Sequence, residues 1–502
     1  MLIMNHIFGK KFLFISALGL LQTGFLFSQK QSVGIFEGSG DIGDVLKKGS
    51  AVFDAVKKSY TIVGGGENMW YAKDAFQYVW KKASGDLSIS ADISFPDTGG
   101  NEHRKAGLII RQSLDPDAPY VDAVLHGDGL TSMQYREVKG GLTREVQANI
   151  KCPSRIKLEK QGSYVFMSVA PANEKLRPAG GSFKIKFEEP FFIGLGVCSH
   201  NNNVSEKAVF SNVEISLGIK DVPGESSVES TIETVSIESK DRKAIYTAEN
   251  FIEGAFWSGD GEQIFFSDKG QLYKLPKGGG KPELFNSGSL KNIGSCNGFS
   301  PDRKQLALSN YAGEHQSLIY LVPAEGGEPK LLTPDVSSWW HGWSPDGAVI
   351  LYSGIRKNNL DIYSIPVKSG KETRLTVQPG IADGPEFTPD GKYIYFNSDR
   401  SGLSQIWRMK PDGSSQEQIT FDEYNNWFPH VSPDGKWIVF LSYNRDVKGH
   451  PANQDVMLRI LPAAGGDIEV VSKLLGGQGT FDVNPWAPDS KNLTFISYRV
   501  VH

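Results

Sequence analysis

Apolar and polar residues alternate along most of the chain with a period of two, the spacing of a strand with one buried face. In the first half the pattern runs through Leu87-Ser-Ile-Ser-Ala-Asp-Ile-Ser-Phe95, Tyr164-Val-Phe-Met-Ser-Val169 and Ala208-Val-Phe-Ser-Asn-Val-Glu-Ile215. In the second half it returns in Lys392-Tyr-Ile-Tyr-Phe and Lys436-Trp-Ile-Val-Phe. Helical periodicity is missing from residues 33–217, so the chain is expected to be all-β.

A repeat organises the second half. Trp257-Ser-Gly-Asp-Gly, Phe299-Ser-Pro-Asp, Trp343-Ser-Pro-Asp-Gly, Phe387-Thr-Pro-Asp-Gly, Val431-Ser-Pro-Asp-Gly and Trp486-Ala-Pro-Asp-Ser start at intervals of 42, 44, 44, 44 and 55 residues. Proline fixes φ, aspartate caps the turn and glycine takes positive φ, so each copy reverses the chain between two strands. A third strand (Ser317-Leu-Ile-Tyr, Leu360-Asp-Ile-Tyr, Gln405-Ile-Trp) and a fourth (Leu331-Leu332, Arg374-Leu375, Gln418-Ile419) complete each period. Four strands in about 44 residues describe a propeller blade. The last copy supplies two strands, and Ile232-Glu-Thr-Val-Ser-Ile with Lys243-Ala-Ile-Tyr has the pattern of the missing pair. The expectation is a six-bladed β-propeller closed by the N- and C-terminal strands of its own segment.

The Ser-Pro-Asp-Gly copies, with Phe396-Asn-Ser-Asp-Arg400-Ser-Gly and Gln405-Ile-Trp, resemble the TolB-like propeller repeat family. The resemblance implies a protein of the bacterial cell envelope. In the first half, Lys105-Ala-Gly-Leu-Ile-Ile-Arg111, Gly194-Leu-Gly-Val and Phe210-Ser-Asn-Val resemble concanavalin A-like jelly-roll modules of the laminin-G type, which implies a β-sandwich with glycan-binding capacity. The domain reading is a signal peptide over 1–28, the sandwich over 33–217, a polar linker over 218–229 and the propeller over 230–502.

The signal peptide rests on Lys10 and Lys11, the apolar run from Phe12 to Phe27 and the small residue Ser28 before Gln29. The run contains Ser16, Gly19, Gln22, Thr23 and Gly24 and is short for a membrane span, so no span is expected in the mature chain. The expected location is periplasmic, secreted or cell-surface. A net charge of -4 gives no reason to expect nucleic acid. Cys152, Cys198 and Cys296 lack metal-type spacing; Cys152 and Cys198 are a possible pair, but small buried residues is the simpler reading of all three.

Candidate binding residues fall in two places. In the sandwich, Trp70, Arg111, His126, Gln134 and Arg136 have the aromatic faces and planar donors of a sugar platform, with packing of Trp70 in the core as the plainer alternative. In the propeller, the first strand of each repeat is expected to line a central channel, which gathers Glu253, Asn297, His341, Asp383, Glu386, His430, Asp482 and Asn484. Loops after the second strands open at the same mouth and bring Arg356, Arg400 and Arg445, and the long loop 444–454 adds Lys448 and His450. No Gly-x-Ser-x-Gly, His-Glu-x-x-His, Walker or dinucleotide motif occurs. The reading is a non-enzymatic envelope binding protein, without a cofactor, that docks a protein segment or glycan. The alternative is a propeller-type lyase or glycosidase, with the arginines on a uronate carboxylate and His341 and His430 as base or metal ligands.

Overall fold

The computed structural model describes residues 32–218, 227–313, 316–333 and 337–501. The expected signal peptide and most of the expected linker lie outside them. Every element among the described residues is a β-strand, and none of them forms a helix long and apolar enough to cross a membrane.

The N-terminal region contributes two sheets. One runs in the order Gly38–Ile42, Phe76–Ala83, Phe191–Cys198, Lys105–Arg111, Tyr120–His126, Thr131–Arg136 and Arg144–Gln147. The other runs Arg177–Pro178, Tyr164–Ala170, Arg155–Gln161, Leu87–Ser94, Glu206–Leu217, Ser59–Gly64 and Ser50–Asp54, with Phe183–Lys184 against Tyr164–Ala170. The period-two alternation sends one set of side chains from each sheet into a shared apolar cluster, where Leu108, Ile110, Val121 and Ile193 meet Ile89, Leu158, Val165 and Phe210. Each such side chain stabilises the fold by about 1.5–3 kcal/mol on burial.

The second half holds five four-stranded blades, not the six expected. Their first strands are Ile252–Trp257, Ile293–Phe299, Ser338–Trp343, Ala382–Phe387 and Asn425–Val431. The turn after each is locked as its sequence requires. Ser258, Ser300, Ser344, Thr388 and Ser432 donate their hydroxyls to Asp260, Asp302, Asp346, Asp390 and Asp434 at 2.5–2.7 Å. Each aspartate also accepts the backbone N–H two residues on. The hydrogen bond from Thr388 leads the forces that hold the Asp390 carboxyl down at about 2.

The sixth copy departs from this plan. Ala487 stands where the others have a hydroxyl, and the segment before it makes only an isolated bridge, Trp486 to Leu493. Its backbone is held by side chains instead: Asp482 accepts the N–H of Gly479, and Asn484 accepts that of Trp486 at 2.9 Å. The strands expected to finish a sixth blade, Ser227–Ser236, Arg242–Ala248 and Asn492–Val501, do pair with one another. They continue the first N-terminal sheet to ten strands through a parallel pairing of Val146 with Arg242 and Gln147 with Lys243.

That junction is sealed by a fully buried ion pair, Arg242 to Glu233 at 2.6 Å. Arg242 also donates to the Ser182 carbonyl at 2.9 Å, and Ser497 donates to Glu233. Lys473 pairs with Glu137 at 2.9 Å, and Arg499 with Glu159, across the same boundary.

Candidate functional site

All five first strands break their ladder at the same stage. The register shifts between Glu253 and Phe256, Ile293 and Asn297, Trp340 and Gly342, Asp383 and Glu386, and Trp427 and His430. A bulge bends its strand and re-aims the side chains beside it. Gly254 and Gly384 take φ of 65° and 61° there, and a Cβ on Gly254 would lie 2.3 Å from the Ser295 carbonyl oxygen. The N–H groups freed from the ladder are taken by the preceding blade. Trp340 donates to Ser309 Oγ at 2.9 Å, Gly384 to Ser353 Oγ at 3.2 Å and Phe428 to Asn397 Oδ1 at 3.0 Å.

The bulges turn side chains from all five strands into one cavity of about 290 Å³. Glu253, Ser295, Cys296, Trp339, His341, Asp383 and Phe428 line it, and Tyr311, Leu360, His450, Gln478 and Asp482 complete the wall. Asp383 receives two imidazoles, His341 Nε2 at 3.4 Å and His450 Nε2 at 3.7 Å. Burial raises its pKa, but the hydrogen bond and charge of His341, followed by His450 and Ser353, outweigh burial and hold the carboxyl well below its ordinary range. Burial and then the neighbouring Asp482 charge push Glu253 up to about 8. Asp482 is itself raised by burial, against hydrogen bonds from Ser295 and Gly479 and the nearby histidines. Burial also drives the Cys296 thiol up, so it is no nucleophile at neutral pH.

A second set lies on the neighbouring first strands. Glu386 meets His430 Nδ1 at 2.6 Å, accepts the Val431 N–H at 3.1 Å and accepts Asn484 Nδ2 at 2.7 Å. Trp486 Nε1 donates to the His430 carbonyl at 3.1 Å. The channel residues named from sequence therefore divide: Glu253, His341, Asp383 and Asp482 line the cavity, Glu386, His430 and Asn484 tie blades together, and Asn297 bonds the Gly294 carbonyl and the Ser309 N–H.

The three arginines do not gather. Arg356 is held by Glu372 at 2.8 Å, the Ser337 carbonyl and the rings of Tyr352 and Tyr363. Arg400 bonds Ser398 and Gln416 and lies over Phe396 and Trp407. Arg445 is exposed, and its carbonyl receives Asn425 Nδ2.

In the N-terminal region Arg111 and Arg136 are sealed in the interior, where both bind the buried carboxylate of Asp74 at 3.3 and 2.7 Å. His126 and Gln134 are buried neighbours at 3.4 Å, and burial followed by the Lys105 charge pushes His126 down to about 3. Trp70 reaches a surface cleft of about 540 Å³, beside Glu67, Asn68, His200 and the 66% exposed Tyr71, and His126 borders a separate one of about 530 Å³ beside Arg104 and Cys152. The three cysteines are free; Cys198 and Cys296 are buried, but Cys152 is exposed, contrary to the expectation for all three.

Tyr311, Leu360 and Gln478 were not legible as cavity residues. Tyr311 follows Ser309 by two positions, as Ile355 follows Ser353, and only alignment on the hydroxyls that hold the bulges brings the position out.

Comparison with known proteins agrees with this architecture. The family model described as the TolB beta propeller domain matches residues 298–499. An uncharacterized protein of Agrobacterium fabrum is 42% identical over 277 residues, which cover 55% of this chain and 94% of that protein. A solved structure of a TolB candidate from Agrobacterium tumefaciens is 41% identical, with a TM-score of 0.53 over 55% of this chain and 99% of its own. TolB from Acinetobacter baumannii is 18% identical, with a TM-score of 0.37 over 56% of this chain and 67% of its own. With 99% of the Agrobacterium tumefaciens TolB candidate covered at 41% identity, the chain belongs to the TolB-like β-propeller family.

Proposed function

We propose that this chain is an exported binding protein of the bacterial cell envelope, and that its central cavity docks a segment of another protein. The observation that carries the reading is the convergence of all five first strands on one cavity through bulges. Five separate departures from regular pairing aim side chains at one place, where bulges commonly serve function. The envelope setting follows from the family and from the signal peptide read in the sequence. The lyase alternative loses its cation set, because Arg356 and Arg400 are spent within their own blades.

The N-terminal region is proposed to be a concanavalin A-like sandwich that adds a second, glycan-facing site at Trp70 and Tyr71. An exposed aromatic beside carboxamide and carboxylate groups suits a sugar face and its hydroxyls. Two modest sites on one chain gain from avidity.

A photo-crosslinking residue at Leu360, on the cavity wall, tests the docking reading in intact cells. Crosslinks to a defined envelope protein are expected, and His341→Ala with His450→Ala should abolish them. Crosslinks that survive both changes, or none at all, overturn it.

A further inference from the structure

The cavity's charge is not balanced by its own walls. Three carboxyl groups reach it, and no lysine or arginine among the described residues lines it. Asp383 has two histidines, and Asp482 has Gln478 and the Gly479 N–H. Glu253 has neither hydrogen-bond donor nor cation among the described residues, and only burial and the Asp482 charge act on it. On the same wall His341, 3% exposed, keeps Nδ1 without a partner. A buried carboxylate left unpaired is costly, so a site of this kind favours a positively charged guest.

The rest of the wall selects the kind of cation. Trp339, Tyr311 and Phe428 line it with aromatic rings, whose faces attract organic cations and whose apolar surface can cover an alkyl stem. Among the described residues no three ligating side chains converge as a metal ion requires. The unpartnered His341 Nδ1 offers a lone pair or a proton to a neighbouring amide or ammonium, depending on its tautomer.

We propose that the cavity is a receptor for a primary alkylammonium group, presented as a lysine side chain by the docked polypeptide, whose arrival releases the Glu253 proton so that Glu253 and Asp482 become its counter-charges, with Trp339 along its stem. This rests on the docking reading above and narrows it to one side-chain chemistry.

Calorimetric titration of the full chain at pH 7.5 with Nα-acetyl-lysine methylamide and its norleucine analogue tests the assignment. Saturable one-site binding of the lysine compound is expected, at least tenfold tighter than the norleucine compound. Glu253→Gln should weaken it at least tenfold, and Arg356→Ala should leave it within twofold. Trp339→Leu, which keeps every charge, supplies a second variant and should weaken it severalfold even if Glu253→Gln folds poorly. Cadaverine that binds more weakly than the lysine compound supports a polypeptide source, and cadaverine that binds more tightly overturns that source in favour of a free diamine. Equal affinity for norleucine, absence of saturation, or wild-type affinity in both cavity variants overturns the ammonium assignment itself. If crosslinking through Leu360 persists in that event, docking stands and only its chemistry falls.

Discussion

Two sets of acids and histidines stand near the propeller axis, and they differ in how far their hydrogen bonds are spent. Around Glu386 the set is nearly closed: the carboxylate has three partners in His430, Asn484 and the Val431 N–H, and His430 Nε2 is left without one among the described residues. Around the cavity, Asp383 accepts the Gly384 N–H at 2.8 Å and shares two long contacts with His341 and His450, and Glu253 has no partner among the described residues. The same residue types therefore do different work: the first set ties blades together, and the second leaves polar groups free at the cavity proposed to bind. Sequence places both at strand starts, but only the bulges decide which side chains face the axis.

The comparison can be broken from either side. The largest effect is expected from Glu386→Ala, which strands His430 and Asn484 in the interior and should cost about 3–5 kcal/mol in urea unfolding. A loss below 1 kcal/mol would mean that the closed set does not hold the blades. Glu253→Gln should act in the other direction. Because the folded pKa of Glu253 is raised to about 8, its neutral form contributes stability that is full below the unfolded value and lost as pH climbs through 8. Between pH 5 and 9 the wild type should lose about 4 kcal/mol more than the variant. Parallel curves would remove Glu253 from the set of strained groups.

His341→Ala should spare much of the stability but remove the better aligned partner of Asp383, so the carboxyl should titrate closer to its ordinary value in NMR. The smallest effect is expected from Arg356→Ala, a part-exposed pair worth about 0–1 kcal/mol, with crosslinking through Leu360 unchanged.

The sequence makes the regular parts of this fold readable and the exceptions hard to see. Five copies of the turn carry their own hydrogen-bond acceptor and donor, so Ser344 and Asp346 announce their geometry. Ala487 in the sixth copy was a visible warning, since it removes the hydroxyl that the other turns use. The pairing of Arg144–Gln147 with Arg242–Ala248 left no trace, because a parallel contact between distant segments has no local pattern. Arg111 and Arg136 show the same limit: both read as donors for a ligand, and their partner, Asp74, lies in a strand of only two residues. Of the channel set, Glu253, His341, Asp383 and Asp482 face the cavity, whereas three arginines were drawn there by loop position alone.

The pairing of Ser227–Ser236 with Asn492–Val501 bears on how the chain emerges from the ribosome. Glu233 waits for Ser497, 264 residues later, before its hydrogen bond can form. Until then the strand has an open edge on that side, and open edges invite pairing with other chains. Contacts this distant in sequence slow folding, so the earlier blades have time to stack before the circle closes. A chain lacking Asn492–Val501 would keep every blade turn and lose this clasp, leaving Ser227–Ser236 with an open edge.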